Sequence, residues 1–389
     1  MMFQFQASTK FIFGANTINQ LGSEVQALGG QKVLIVTDQG LVKAGILDKV
    51  TGPLAAAKIE MTVFDEIEPN PTAGAIMTGV ERLRAAGADI VIGLGGGSPL
   101  DAAKAIAMMA TNEGAVTDYC GAGVDPWPNP PLPVVAIPTT AGTGAEVSAA
   151  AMVNVPARGR KMDLFGPSIL PKVAIADPIL TLGLPPRLTA LTGIDALCHA
   201  VEAYVCAEAN PISDAIAERA ISLVAENIRQ AYTNGRDLTA RSNMLLASAM
   251  AVMAAANAGG LGVIHSLAQT LGGFYNLPHG LTIAVCFPYG LAYNALSVPD
   301  KYATVTRLLG VNTAGMSKFE AAKAVVPALQ ALLLDLDITD DLQMLGVNRA
   351  DIPQLAEKAM LDGSTPPNPR PLDVASFVKL YEQATNTVL

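Results

Sequence analysis

The chain has 389 residues, 51% of them hydrophobic and only 15% charged, which excludes a disordered chain, a collagen-like fibre and a disulfide-built mini-scaffold. At roughly 150 residues per domain, two or three domains are expected. Lys and Arg number 25 against 34 Asp and Glu, a formal charge of −9, so phosphate backbones and anionic bilayers are repelled at long range and neither nucleic acid nor a membrane is an expected partner.

In chain order, Met1 to Leu21 has no basic stretch followed by an apolar one, so no export signal is expected. Met2 to Ser8 reads as an exposed edge strand, through which strand pairing would make a homo-oligomer. Lys32 to Thr37 is a β-branched strand ending at Asp38, and Leu41 to Leu54 is amphipathic at helical period. Further on come a strand at Met61 to Phe64, a helix at Gly74 to Ala86, and a buried strand at Asp89 to Leu94 that runs through Gly95-Gly96-Gly97-Ser98 into a helix from Pro99 to Ala110. The strand Pro133 to Pro138 ends in Thr139-Thr140. This alternation predicts an α/β, Rossmann-like N-terminal domain with a mainly parallel sheet, which binds ligands at the carboxyl ends of its strands.

From Asp177 the strand pattern fades. Helical windows take over at Leu188 to Ala207, Ile212 to Tyr232, Asp237 to Ala258, Lys318 to Leu334 and Asp351 to Met360, predicting an all-α C-terminal domain. Pro185-Pro186 marks the boundary, giving domains at 1–184 and 185–389 with chemistry expected in a cleft between them. Ser242 to Pro299 carries no Lys, Arg, Asp or Glu, but its polar residues, Gly259-Gly260, Pro278 and Pro288 suit a buried helical core around a site better than a membrane span. Cys120, Cys198, Cys206 and Cys286 show no CxxC spacing, which fits free thiols in a reducing, cytoplasmic compartment.

Asp195 and His199 stand four apart in apolar surroundings, one turn apart on one helix face. A surface Asp–His pair has the same spacing, but a buried carboxylate calls for a positive partner. His265 and His279 are the other two of only three histidines, again in apolar, glycine-punctuated sequence. A single divalent site made of Asp195, His199, His265 and His279 accounts for all four, with Fe(II), Zn(II), Mn(II) or Ni(II) as candidates. Cys198 reads as packing. The Gly95–Ser98 run fits a phosphate-binding helix start or, equally, a plain strand-to-helix turn. Asp38 is placed either to accept from a ribose 2′-hydroxyl, favouring NAD over NADP, or to cap a helix.

Pro69-Asn70-Pro71-Thr72, Gly95 to Lys104, Pro138 to Ser148, Asp177-Pro178 with Gly193 to Tyr204, and His265 to Gly280 occur in this order, between Phe3-Gln-Phe with Ser8-Thr9-Lys10 and Asn368-Pro369-Arg370. In these motifs the whole chain resembles the iron-containing (group III) alcohol dehydrogenase family. The resemblance implies a Rossmann-like domain, a helical domain, and a cleft holding nicotinamide cofactor and Fe(II). It makes Asp195, His199, His265 and His279 the metal ligands, assigns the pyrophosphate to Gly96, Gly97 and Ser98 and the adenosine ribose to Asp38, and puts Asn70, Thr139, Thr140, Thr143 and Lys161 on the cofactor.

One departure from the family is Gln269, where many members carry a second histidine near the nicotinamide. A glutamine orients substrate or water, or bonds the helix backbone, but cannot relay protons near neutral pH. Met152-Val-Asn-Val-Pro-Ala and Gly363-Ser-Thr-Pro-Pro also depart from it and read as loops facing substrate. The expected function is NAD-dependent, Fe(II)-dependent interconversion of a small alcohol and its aldehyde, with Zn(II) a substitute metal and His265, His279 and Gln269 at the reacting centre. Two alternatives stand beside it: a lyase resembling dehydroquinate synthase, for which the absence of Arg and Lys between Ser242 and Pro299 leaves no phosphate-binding cluster, and a non-catalytic metal- or nucleotide-binding protein.

Overall fold

The structure, a computed structural model, describes residues 2–155, 158 and 160–386. The chain divides into two compact units, one of Ala7–Leu184 with Arg236–Ala249, the other of Met1–Gln6, Pro185–Gly235 and Met250–Leu389.

In the first unit the elements are β1 (Lys10–Phe13), α1 (Leu21–Ala27), β2 (Lys32–Val36), α2 (Gln39–Lys43), α3 (Ile46–Ala56), β3 (Glu60–Phe64), α4 (Ala73–Ala86), β4 (Ile90–Gly95), α5 (Gly97–Thr111), α6 (Val116–Tyr119), β5 (Val134–Pro138), β6 (Ala150–Val155), β7 (Arg160–Phe165) and β8 (Val173–Ala176). Six strands form one sheet in the order β1-β8-β5-β4-β2-β3, and every pairing in it is parallel. Alternation along β2 explains the two-sided burial: Val33 and Ile35 pack with Leu21, Val50 and Leu54 of α1 and α3, while Leu34 and Val36 pack with Ile76, Val80 and Ile106 of α4 and α5. The direction of winding reverses between β2 and β4, whose carboxyl ends carry Asp38 and Gly95–Ser98. That is the point at which open α/β sheets bind their ligands.

The second unit is helical among the described residues. It contains α7 (Pro186–Val205), α8 (Pro211–Thr233), the latter part of α9 (Leu238–Asn257), α10 (Val263–Tyr275), α11 (His279–Asn294), α12 (Pro299–Leu308), α13 (Lys318–Lys323), α14 (Val325–Asp335), α15 (Ile352–Met360) and α16 (Val374–Asn386). Pro186 opens α7 where its missing N–H is no loss, and Asn210 caps α8 by accepting from Ile212 and Ser213. Helix α7 packs on α8 and α11, and α10 on α11 and α15. Helix α9 is long and apolar enough to cross a membrane, but 61% of its apolar window is buried in the protein, as in a core helix.

Several sequence expectations need correction. Residues 2–8 form no strand; the edge strand is β1, which begins at Lys10 and pairs with β8. The helix expected over 41–54 is broken by Gly45 in a left-handed conformation, φ 70°, into α2 and α3. The helix expected over 318–334 is likewise two, α13 and α14. Met152 to Val155 is not a loop but half of an antiparallel hairpin, paired with Arg160 to Asp163, whereas Pro156 and Ala157 lie outside the described residues.

Candidate active site

Helix α7 is buried over nearly its whole length, and Asp195, His199 and Glu202 occupy positions i, i+4 and i+7 on one of its faces. His265 sits in the first turn of α10. Asn276, left-handed at φ 53°, ends that helix, and His279 begins the next after Pro278. Three donor atoms therefore converge from three helices: His265 Nε2 lies 3.7 Å and His279 Nε2 3.5 Å from Asp195 Oδ1, and the ligand atoms of these three residues lie within 4.8 Å of one another. Two ligands about 2.1 Å from one ion at tetrahedral angles stand roughly 3.4 Å apart, so the spacing suits a shared cation. Asp195 Oδ1 and His265 Nε2 are buried and have no hydrogen-bond partner, an arrangement that a cation between them would satisfy.

His199 borders this set. Its Nδ1 donates to the Asp195 carbonyl at 2.8 Å and lies 3.3 Å from Asp195 Oδ1, and its ring meets that of His265 edge-on, centroids 4.3 Å apart. With Nδ1 donating, Nε2 is the atom it has to offer a metal.

Burial alone would raise the Asp195 carboxyl, but the neighbouring His199 and His279 rings hold it well below the usual carboxylate range. For His265, burial opposes a charged ring, yet the Glu202 and Asp195 carboxylates push it up to about 9. Cys198 packs against the site, its Sγ 3.7 Å from His265 Nδ1. Burial, and then the nearby Glu202, raise its thiol well above the ordinary value, so it stays protonated and is a poor metal ligand. Gln269 stands one turn beyond His265 on α10, part-exposed, and its side chain makes no hydrogen bond among the described residues, so the backbone bond considered for it is not formed.

In the other unit, the glycine run is a cradle. Gly95 has φ +151° and Gly96 is the N-cap of the fifteen-residue α5. A Cβ on Gly97 would come within 2.8 Å of Thr143, and one on Gly96 within 3.3 Å of Thr140, so only glycine keeps the helix start bare between these threonines. Asn70 N donates to Ser98 Oγ at 3.2 Å, and Thr139 N to the Gly95 carbonyl at 2.9 Å. Gly96, Gly97, Ser98, Asn70, Thr139, Thr140 and Thr143 are thus brought together. Asp38 stands at the carboxyl end of β2, beside β4, and its Oδ1 caps α2 through Leu41 N at 3.0 Å. Lys161 is on β7 opposite Asn154, which is tied to Pro71 by a 2.8 Å backbone bond.

The profile described as iron-containing alcohol dehydrogenase matches residues 8–178, and that of the family's C-terminal part matches 189–385. The chain belongs to the iron-containing alcohol dehydrogenase family. Among similar proteins, 1,3-propanediol dehydrogenase of Klebsiella pneumoniae is 42% identical over 385 residues, 98% of this chain and 99% of that one. Lactaldehyde reductase of Escherichia coli K12 is 39% identical over 372 residues, 96% and 97% of the two chains. A crystal structure of a 1,3-propanediol oxidoreductase superposes with TM-score 0.95 at 41% identity, covering 99% of this chain and all of the other. Sulfoacetaldehyde reductase from Bifidobacterium kashiwanohense, solved with NAD+, gives TM-score 0.88 at 25% identity over both whole chains. An iron-containing alcohol dehydrogenase is an oxidoreductase, which decides against the lyase and non-catalytic alternatives.

Two residues of the buried cluster carried no role in the sequence reading. Glu202 contacts His265 Nδ1 at 2.5 Å, and Asn368 accepts from Val263 N at 3.1 Å. For Glu202 a signal was present in its seven-residue spacing from Asp195; for Asn368, over a hundred positions from its partner, no local pattern exists.

Proposed function

We propose that this enzyme interconverts small alcohols and their aldehydes with NAD(H), and that Asp195, His199, His265 and His279 hold its Fe(II), with Zn(II) able to substitute. The observation that carries the reading is the convergence of Asp195 Oδ1, His265 Nε2 and His279 Nε2, two of them buried without a hydrogen bond. When bound, iron supplies Lewis acidity toward the substrate oxygen and nicotinamide supplies the hydride donor or acceptor.

The chain's own groups do the rest. The bare start of α5 at Gly96, Gly97 and Ser98 offers backbone N–H groups to the diphosphate, with Thr139, Thr140, Thr143, Asn70 and Lys161 around the nucleotide. Asp38, whose Oδ1 caps α2, accepts through Oδ2 from the adenosine ribose and repels a 2′-phosphate. Gln269, with its amide uncommitted, orients the substrate or a water but neither takes nor gives a proton. The similarity to 1,3-propanediol dehydrogenase and lactaldehyde reductase puts short hydroxyaldehydes first among substrates to try. The four cysteines are all free and buried, which supports a cytoplasmic enzyme, and the edge position of β1 supports a homo-oligomer.

The test is iron-loaded protein, handled anaerobically, with NADH and short aldehydes, the nicotinamide absorbance being followed. Turnover is expected in the wild type and a loss of about a hundredfold or more in His279→Ala with NAD+ binding retained. No reaction with any aldehyde, or unchanged turnover in His279→Ala, would overturn the reading.

A further inference from the structure

Helix α10 starts without a cap of its own: its N-cap residue is Gly262, which has no side chain to offer. Its first N–H groups are taken instead by two residues remote in sequence. Val263 N donates to Asn368 Oδ1 at 3.1 Å and Ile264 N donates to Glu202 Oε1 at 2.7 Å. A Cβ at position 262 would come within 2.9 Å of both accepting oxygens, so the glycine makes room for them. Asn368 is itself locked by reciprocal amide bonds with Asn294, at 2.8 and 3.0 Å, and by donating to the Arg370 carbonyl at 2.6 Å.

The second oxygen of Glu202 is 2.5 Å from Nδ1 of His265, the residue that follows Ile264. Glu202 is 1% exposed. One buried carboxylate thus neutralises the positive end of α10 and grips the histidine in its first turn. An ionised carboxylate only accepts, so Nδ1 must donate, and in the neutral ring that a metal requires it is Nε2, turned toward Asp195, that carries the lone pair.

We propose that Glu202 is a positioning residue for the metal centre: by capping α10 with one oxygen and holding His265 Nδ1–H with the other, it sets the tautomer and ring direction that make Nε2 a ligand. The inference rests on the reading of His265 as a ligand. Glu202→Gln separates the two tasks of the carboxylate, since an amide has one accepting end. If its oxygen keeps Ile264 N–H, its NH2 faces Nδ1, which must then accept, and the proton moves to Nε2, where it blocks a cation. Were the amide reversed, its NH2 would meet the N–H of Ile264.

The experiment uses the full-length enzyme labelled with 15N-histidine, stripped of metal for nitrogen shifts at pH 10, where the His265 ring, pushed up to about 9, is neutral and has one tautomer to read, and then titrated at neutral pH with Fe(II) against a competing chelator. With three histidines in the chain, His265→Ala identifies the signals of His265. The wild type is expected to show His265 protonated on Nδ1. In Glu202→Gln the proton is expected on Nε2, with Fe(II) affinity lower by about 10- to 100-fold. Glu202→Asp, which keeps the acceptor character, is expected to keep the wild-type tautomer and lose less affinity. A wild-type His265 protonated on Nε2 would overturn the proposal without recourse to any variant, and so would Glu202→Gln with unchanged tautomer and affinity. If His265→Ala itself leaves Fe(II) affinity unchanged, the ligand reading fails and the proposal with it; loss of affinity in His265→Ala without loss in Glu202→Gln overturns the positioning role alone.

Discussion

Asp38 has two carboxylate oxygens with different duties. Oδ1 accepts from Leu41 N and starts α2, while Oδ2 accepts from none of the described residues. Both readings of this residue, helix cap and ribose acceptor, are therefore compatible, because each needs one oxygen. Asn is as good an N-cap as Asp, so Asp38→Asn removes the negative charge and keeps the cap. The expected outcome is a rise of about tenfold in the ratio of kcat/KM for NADP+ over NAD+, the size of one removed repulsion of about 1.4 kcal/mol between partly solvated charges. Stability in urea should change by less than about 0.5 kcal/mol. An unchanged coenzyme ratio would place the 2′-position away from Asp38.

Helix α11 approaches α7 so closely that a Cβ at Gly280 would lie 2.8 Å from the Leu191 carbonyl oxygen and 3.0 Å from its carbon. Backbone atoms cannot swing aside as a flexible side chain can, so Gly280→Ala must separate the first turn of α11 from α7. His279 is the neighbouring residue and Asp195 lies one turn beyond Leu191, so the separation falls on the 3.5 Å contact between them. Expected effects are about 1–3 kcal/mol of lost stability and about tenfold weaker metal binding, measured by urea unfolding and metal competition. Gly52→Ala is the control: it lies in α3 with nothing within 4 Å of an added Cβ, and should be neutral or stabilise by up to about 1 kcal/mol. Such close approaches leave little trace in a sequence. The runs that became β2, β4 and β5 are apolar and β-branched enough to be read directly, and so are the long windows of α7, α8 and α9. By contrast β8 has only four residues, and the stretch from Met152 to Val155, which alternates as a strand in β6, departs from the family there and reads as a loop on that ground. The four candidate ligands were legible because histidine is so rare here. What held His265 in place was not, since Glu202 and Asn368 reach α10 from 62 and 105 positions away.

Net charge says little about how the folded protein responds to pH; a single buried acid says more. Glu146 follows the threonine-rich end of β5, is 2% exposed, and its Oε1 has no hydrogen-bond partner. The cation that acts on it, Lys104, is already engaged: its Nζ lies 3.1 Å from Asp101 Oδ1 and donates to the carbonyls of Ala145, at 3.0 Å, and Ala150. Burial therefore dominates and pushes Glu146 from 4.5 up to about 7, against smaller lowering effects of its own backbone N–H and of Lys104. Below pH about 4.5 the group is protonated in folded and unfolded chains alike, and its contribution is complete. Between about 4.5 and 7 the unfolded chain has lost the proton and the folded one keeps it, so stability falls with rising pH by about 1.4 kcal/mol per unit, on the order of 3 kcal/mol in all. Above the folded value both states are ionised and the loss levels off. Glu146→Gln keeps the shape without the ionisation, so the variant should gain on the wild type steadily from pH 4.5 to 7.5 in urea midpoints measured in one cofactor state. Parallel curves for the two proteins over that window would mean that Glu146 ionises in the fold as readily as in water, and that the orphaned oxygen has a partner in solution.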